Sequence, residues 1–143
     1  MAYAYSTETT ENSAKAVGIS LAISKKESVV VCNAIRGMNV QKAKKYLEDV
    51  ISLKRPVPYT VYNRNIGHKP GMATGRYPVN VCSEVLKLLK SAEANAQFKG
   101  LSTANLIIKH ASAQKGPTVQ RYGRKRAMAK RAHVELVLEE VKK

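Results

Sequence analysis

Apolar residues recur along this chain with two periods, and the switches between them mark out the elements. Ala16-Val-Gly-Ile-Ser-Leu-Ala-Ile23 alternates, which predicts a strand, because successive side chains on a strand point to opposite faces. Ser24-Lys-Lys-Glu27 then has the spacing of a capping box, so a helix is predicted to start there. It runs through Val29, Val30, Cys32 and Ile35 to Gly37, a residue suited to the left-handed turn that closes a helix. Asn39 is placed to cap a second helix whose Val40, Ala43, Leu47, Val50 and Ile51 form one stripe, with Lys42, Lys45 and Asp49 outside it.

From Arg55 to about Tyr77 the periodicity breaks into prolines, glycines, tyrosines and basic residues, which predicts a long irregular connection; one of that length in a small domain is functional or disordered. Pro78 can open a third and longest helix, with Val81, Val85, Leu88, Leu89, Ala92 and Ala96 on one broad face and Gly100 as its stop. The small residues of Ser91-Ala-Glu-Ala-Asn-Ala96 suit close approach to another backbone. Leu106-Ile-Ile-Lys-His-Ala111 and His133-Val-Glu-Leu-Val-Leu-Glu-Glu140 are strand-like, the second with Val134, Leu136 and Leu138 on one face and His133, Glu135 and Glu139 on the other. They are predicted to pair as an antiparallel hairpin. Its connector, residues 112–132, would extend about 30 Å from the core at strand rise.

Charge gives that connector a meaning. The chain has 143 residues, 25 basic and 10 acidic, for a net +15, yet its apolar fraction of 44% is that of a foldable domain. No Asp or Glu occurs from Ala94 to Val134, where nine Lys or Arg stand, nor from Val50 to Ser83, which holds Lys54, Arg55, Arg64, Lys69 and Arg76. Two acid-free stretches on one small domain point to a single large polyanion, and nucleic acid is the default partner. Arg36, Arg76, Arg121, Arg124, Arg126 and Arg131 can fork onto phosphates or stack on bases. Tyr122, set among the cations, can stack on an unpaired base or pack as a rim residue; for Tyr62 and Tyr77 packing on the body is the commoner use. Lys42, Lys44 and Lys45 read as a solvated helix face with Glu48 and Asp49 near enough to pair.

The other chemistry is sparse. Cys32 and Cys82 lie far apart in apolar patterns and read as reduced, buried small hydrophobes, a disulfide being the alternative. His68, His110 and His133 have no metal-ligand spacing, and Gly67-His-Lys-Pro-Gly-Met-Ala-Thr-Gly75 lacks the Gly-Lys-Ser/Thr of a phosphate loop. No pair of carboxylates suggests acid–base work, so the expectation is no enzyme, no metal and no cofactor. Residues 1–14 read as a polar, flexible tail without the pattern of a secretory signal, and no stretch is apolar enough to span a membrane. A single domain, 1–143, is expected.

Several segments, in the right order over nearly the whole chain, resemble the universal large-subunit ribosomal protein 22 family, numbered 17 in eukaryotes, in its archaeal and eukaryotic branch. They are Ile35-Arg-Gly-Met38, Ala43-Lys-Lys-Tyr-Leu-Glu-Asp-Val50, Val57-Pro-Tyr, Tyr62-Asn-Arg64, Gly75-Arg-Tyr-Pro78, Arg126-Ala-Met and His133 to Glu140. The most specific is Leu88-Leu-Lys-Ser-Ala-Glu-Ala-Asn-Ala-Gln-Phe-Lys-Gly-Leu101. The resemblance implies an α+β fold, three helices packed on a three-stranded antiparallel sheet, with a long protruding β-hairpin between the last two strands. It implies a cytoplasmic structural constituent of the large ribosomal subunit that binds rRNA, aids assembly and lines the peptide exit tunnel with its hairpin. Implied partners are large-subunit rRNA, neighbouring proteins including ribosomal protein 4, and the nascent peptide in passing, with no membrane and no small-molecule substrate. The rRNA contacts are then expected at Arg36, Arg64, Lys69, Arg76, Tyr77, Lys115, Arg121, Tyr122, Arg124, Lys125, Arg126, Lys130 and Arg131.

One segment departs from the family pattern. Arg126-Ala-Met-Ala-Lys130 stands where members carry Arg-Ala-x-Gly-Arg near the hairpin tip, and only Arg131 and Ala132 precede His133. Alanine lacks glycine's freedom at positive φ, so the turn is expected at Gly123 or Gly116-Pro117, and the hairpin is expected to be shorter or asymmetric. Two readings from other classes stay open: a free-standing RNA-binding or chaperone-like module, and an RNA-processing enzyme using His68 or His133.

Overall fold

The chain opens with β1, Ser13–Leu21, followed by α1, Lys25–Ile35, and α2, Val40–Ile51. Three short strands come next in the computed structural model: β2, Val57–Pro58, β3, His68–Lys69, and β4, Met72–Arg76. The longest helix, α3, is Val79–Phe98; after a 3-10 turn at Thr103–Asn105 come β5, Leu106–Lys115, β6, Val119–Gln120, β7, Met128–Ala129, and β8, Ala132–Glu140. The structure describes residues 3–8, 10–123 and 127–141.

The principal sheet is antiparallel with order β1-β8-β5, so the last strand is the middle one. Ala16 and Ala111 both stand opposite Leu136, and the face they share is the core face. Ala14, Val134, Leu136, Leu138 and Ile108 meet Val31 and Ile35 of α1, Leu47 and Val50 of α2, and Val85 and Leu89 of α3 in one buried cluster. Leu47, Leu89, Leu136 and Leu138 are each 0% exposed. Truncating such a leucine to alanine costs about 2–5 kcal/mol, because burial is forfeited and a cavity is left behind. The small residues of α3 serve the predicted close approach: Ala92 and Ala96 are buried, while Asn95 Nδ2 and Lys99 Nζ donate to the carbonyls of Lys15 (2.9 Å) and Ser13 (2.7 Å). Helix, strand and backbone are thereby locked side by side.

Most predicted elements form, with corrections that have physical causes. The first strand starts at Ser13, because its ladder with β8 continues to Ser13↔Glu139. The capping box at Ser24 and Glu27 does not form: Ser24 makes no side-chain cap bond among the described residues, and its carbonyl instead accepts from the Ser28 hydroxyl, at 2.8 Å. Asn39 does cap α2, accepting from the Gln41 N–H at 2.9 Å. Lys44 pairs with Glu93 on α3 and so links two helices, rather than pairing within its own. The connection after Arg55 is not irregular throughout, since β2, β4 and β3 form a small antiparallel sheet within it. Tyr59 N–H to the Thr74 carbonyl (3.0 Å) and the Thr74 hydroxyl to the Tyr59 carbonyl (2.8 Å) extend that pairing. Val57, Tyr59 and Ile66 are its buried anchors.

The largest correction concerns Glu135, expected on a polar outer face and in fact 1% exposed. Its strand is central, and the N-terminal segment crosses the face opposite the core. Ser6 donates to the Glu135 carboxylate from its N–H (3.2 Å) and its hydroxyl, and Gln114 Nε2 donates at 3.4 Å. His110 Nε2 lies 3.3 Å from the same carboxylate. Burial pushes the carboxyl upward, but the Ser6 and His110 hydrogen bonds outweigh it and hold the group below its ordinary value.

Candidate nucleic-acid interface

The basic side chains gather on two surfaces. On the small sheet, Lys69 ends β3 and Arg76 ends β4, and together with Gly67, Gly75 and Tyr77 they line an open hollow of about 370 Å³. The Lys69 ammonium lies 5.6 Å from the centre of the Tyr77 ring, so that tyrosine packs under a cation instead of presenting a free face. Arg64 is exposed but does not line the hollow, and Arg36, also expected as a contact, spends part of its guanidinium on the Ala111 carbonyl at 2.6 Å.

The second surface is the hairpin. The main ladder ends at Lys115↔Ala132, and pairing resumes at Val119↔Ala129, so Gly116, Pro117 and Thr118 on one limb face only Lys130 and Arg131 on the other. The hairpin is therefore asymmetric, as the short return limb predicts. At this root the limbs are pressed together: Gly116 N–H donates to the Arg131 carbonyl at 3.0 Å, and a Cβ on Gly116 would stand 3.1 Å from the Arg131 backbone. Only glycine fits without a shift. Beyond β6 and β7 the Arg121 N–H donates to the Ala127 carbonyl, at 3.0 Å; among the described residues there Gly123 takes the positive φ, +114°, while Ala129 sits in a strand with no need of glycine. Arg124, Lys125 and Arg126, three of the expected contacts, lie outside the described residues.

The remaining hairpin candidates are open to a partner. Lys115, Arg121 and Lys130 are exposed, and Tyr122 stands free of the body at 105% exposure, which decides between its two readings in favour of an available ring. Arg131 is half-buried, with Nη1 donating to the Ser20 carbonyl at 3.3 Å. The hairpin does not stand wholly clear of the body, since Arg121, Met128 and Lys130 share a hollow with Ser24 at the N-cap of α1, Glu27 of α1 and Asn80 of α3.

Two cations that sequence reasoning passed over belong here. Lys25 and Lys26, which the sequence presents only as the middle of a capping box, line a notch at the hairpin root together with Lys115, Lys130 and Arg131. A signal was available: two lysines in the first turn oppose the positive end of the helix dipole, an arrangement that costs stability unless an anion is near. Tyr62 also turns out to be engaged, with the Lys26 ammonium 5.6 Å from its ring centre.

Cys32, Cys82, His110 and His133 are engaged in the fold rather than presented on these surfaces. Cys32 and Cys82 are free and buried, and burial pushes each thiol up to about 12, so both are inert at neutral pH. His133 Nδ1 accepts the Ser20 N–H at 3.1 Å and His110 is tied to Ser6 and Glu135; both are structural. Among the described residues no group of three His, Cys, Asp or Glu could hold a metal ion, and no helix is long and apolar enough to cross a membrane.

The sequence matches the family described as ribosomal protein L22p/L17e over residues 16–139. It is 44% identical over 123 residues to the large ribosomal subunit protein uL22 of Archaeoglobus fulgidus, covering 84% of this chain and 79% of that protein. To the protein of the same name from Methanococcoides burtonii it is 50% identical over 117 residues, 80% of this chain and 78% of the other. The Methanocaldococcus jannaschii protein is 42% identical over 139 residues, covering 91% and 89%.

Proposed function

Because the chain belongs to the ribosomal protein L22p/L17e family, we propose that it is a structural constituent of the large ribosomal subunit in the cytoplasm, of the archaeal type, and that it docks on large-subunit rRNA through the two basic surfaces. It is not an enzyme. The observation that carries the RNA reading is the hairpin: from Pro117 to Arg131 its described side chains are exposed or half-buried, and Val119, Tyr122 and Met128 are among the most exposed apolar residues of the chain. Such an arm has no core of its own and is ordered by an outside surface, and its charge selects phosphate. Affinity then comes from Lys and Arg releasing counterions, and selectivity from RNA shape and unpaired bases.

The same reading takes the hairpin into the wall of the peptide exit tunnel, beside ribosomal protein 4 and within reach of the nascent peptide, while the body contributes to assembly. A tagged copy of the chain replacing the endogenous protein is expected to sediment solely with large subunits and ribosomes on a sucrose gradient. A substantial pool bound to other RNAs would favour the free-standing module instead. A photoreactive group at Tyr122 is expected to label stalled nascent chains; labelling of bulk rRNA alone would take the hairpin out of the tunnel lumen.

A further inference from the structure

The notch at the hairpin root is built differently from the rest of the basic surface. It encloses about 300 Å³, a volume at the low end of what holds a small ligand, and its walls come from three separate segments. Lys25 and Lys26 come from the first turn of α1, Lys115 from the end of β5, and Lys130 and Arg131 from the return limb. Two hydroxyls, Ser24 and Thr118, complete it, and the described lining contains no carboxylate. Glu27, one turn into the helix, faces the adjoining hollow instead.

Three features leave this place electrostatically unsatisfied in the free chain. Five basic residues line one concavity, of which Lys26 also lies over the Tyr62 ring and Arg131 also donates to the Ser20 carbonyl. Two of them also sit against the positive end of α1. Ser24, at the N-cap, makes no side-chain cap bond, so the amide groups of the first turn are not capped by its hydroxyl. An anion placed in the notch answers all three at once.

The shape narrows the anion. A duplex presents its phosphates on broad convex ridges, which reach the rim of a concavity but not its floor. A single nucleotide turned out of its stack fits: its phosphate meets the ammonium groups and the helix start, while its base lies on the aliphatic stems of the lysines and against the planar guanidinium of Arg131. We infer that this notch is the seat of one unpaired, splayed-out nucleotide of the RNA that the protein binds. The inference rests on the RNA reading above and assigns it a point of selectivity, separating this notch from the remaining cations, which supply sequence-independent affinity.

The test uses large subunits that carry the full chain with Thr118→p-benzoylphenylalanine, irradiated and mapped by reverse transcription. The expected result is one dominant cross-link, to a nucleotide unpaired in the rRNA secondary structure. In the same background Lys115→Gln with Lys130→Gln should lower its yield, normalised to the amount of protein incorporated, by about tenfold, the scale of removing charge-assisted hydrogen bonds. Cross-links spread over paired nucleotides, or a yield indifferent to the two lysines, would overturn the notch and leave the RNA reading standing. Failure of the wild-type chain to enter large subunits would remove both.

Discussion

Residues 55–77 and residues 116–131 are both basic connections without a single acid, yet they relate to the body in opposite ways. The first is pinned: Val57 is 0% exposed and Tyr59 and Ile66 are nearly so, and a three-stranded ladder holds Lys69, Arg76 and Tyr77 over them. The second, past Gly116, has no buried side chain among its described residues, and its regular structure there is the two-residue pair β6 and β7. Lys and Arg are denser in the second, six of its 16 residues against four of 23 in the first, but charge alone does not make one connection pinned and the other open. What separates them is whether apolar residues stand among the cations at positions the body can bury, so a connection that brings its own buried anchors is distinguished from an arm that brings none among its described residues.

Removing the arm tests that distinction most severely. Replacing residues 117–130 by a two-residue Asn-Gly turn keeps the Gly116–Arg131 pair and the whole β5–β8 ladder. The thermal midpoint and circular dichroism of the free chain are expected to stay close to wild type. RNA affinity should collapse, with the slope of log affinity against log salt falling by up to about 4.5, since five cations depart at roughly 0.7–0.9 each. A truncated chain without cooperative unfolding would show that the arm is part of the core after all.

Matched truncations measure the same difference within one residue type. Val57→Ala, at a fully buried anchor, is expected to cost about 2–3 kcal/mol in chemical denaturation, whereas Val119→Ala on the arm, half exposed, should fall within about 0.5 kcal/mol of wild type. Equal effects would erase the contrast.

A third region offers a control that touches neither connection. Glu135→Ala leaves the Ser6, His110 and Gln114 groups without their carboxylate and is expected to cost about 1–3 kcal/mol. The carboxyl is held below its ordinary value of 4.5, so its contribution is complete above that pH and disappears as pH falls through the lower folded value. Protection of the Ser6 amide, its exchange relative to the intrinsic rate at each pH, should therefore be lost below about pH 4.5, before the small sheet opens. Simultaneous opening of both would mean that the N-terminal segment and the connector unfold as one unit.

How far the sequence foretold all this follows from the range of each rule. Asn39 was legible as a cap because capping is an interaction between neighbours in sequence, and Leu136 as core because period two fixes its face. Period two also puts Glu135 on the other face, but it is silent on what covers that face, and Ser6 arrives from 129 residues away. Of the strands in residues 57–76, β2 and β3 were hidden because two residues are too few for alternation to register, and β4, Met-Ala-Thr-Gly-Arg, because it holds Gly75 and carries no alternating apolar pattern. Lys25 and Lys26 were visible as cations but belong with Lys115 and Lys130 only once the hairpin root is brought against α1. A shorter or asymmetric hairpin was foreseen from the departure of Arg126-Ala-Met-Ala-Lys130 and its short return limb from the family pattern. The hairpin's meeting with the body was not.

Single charges probe the pinned surface more gently. Reversing Arg64, Lys69 or Arg76 to Glu should leave folding intact and, for each phosphate no longer neutralised, lower the salt slope by roughly 0.7–0.9. Because Lys69 and Arg76 share a hollow that Arg64 does not line, the first two are expected to be non-additive and Arg64 additive with either. Three independent effects would show that the hollow does not act as one site.

The smallest effect bears most directly on whether the pinned connection is complete without a partner. The Tyr59 hydroxyl is buried with no hydrogen-bond partner among the described residues, and that burial pushes the phenol up to about 12. A hydroxyl shut from water and unpaired is a cost, so Tyr59→Phe removes it while keeping the ring that anchors the sheet. The free chain should gain up to about 1 kcal/mol in chemical denaturation. A destabilisation of that size would mean that the hydroxyl is paired in solution, and hence that residues 55–77 open far enough to reach water. The first connection would then differ from the hairpin only in degree.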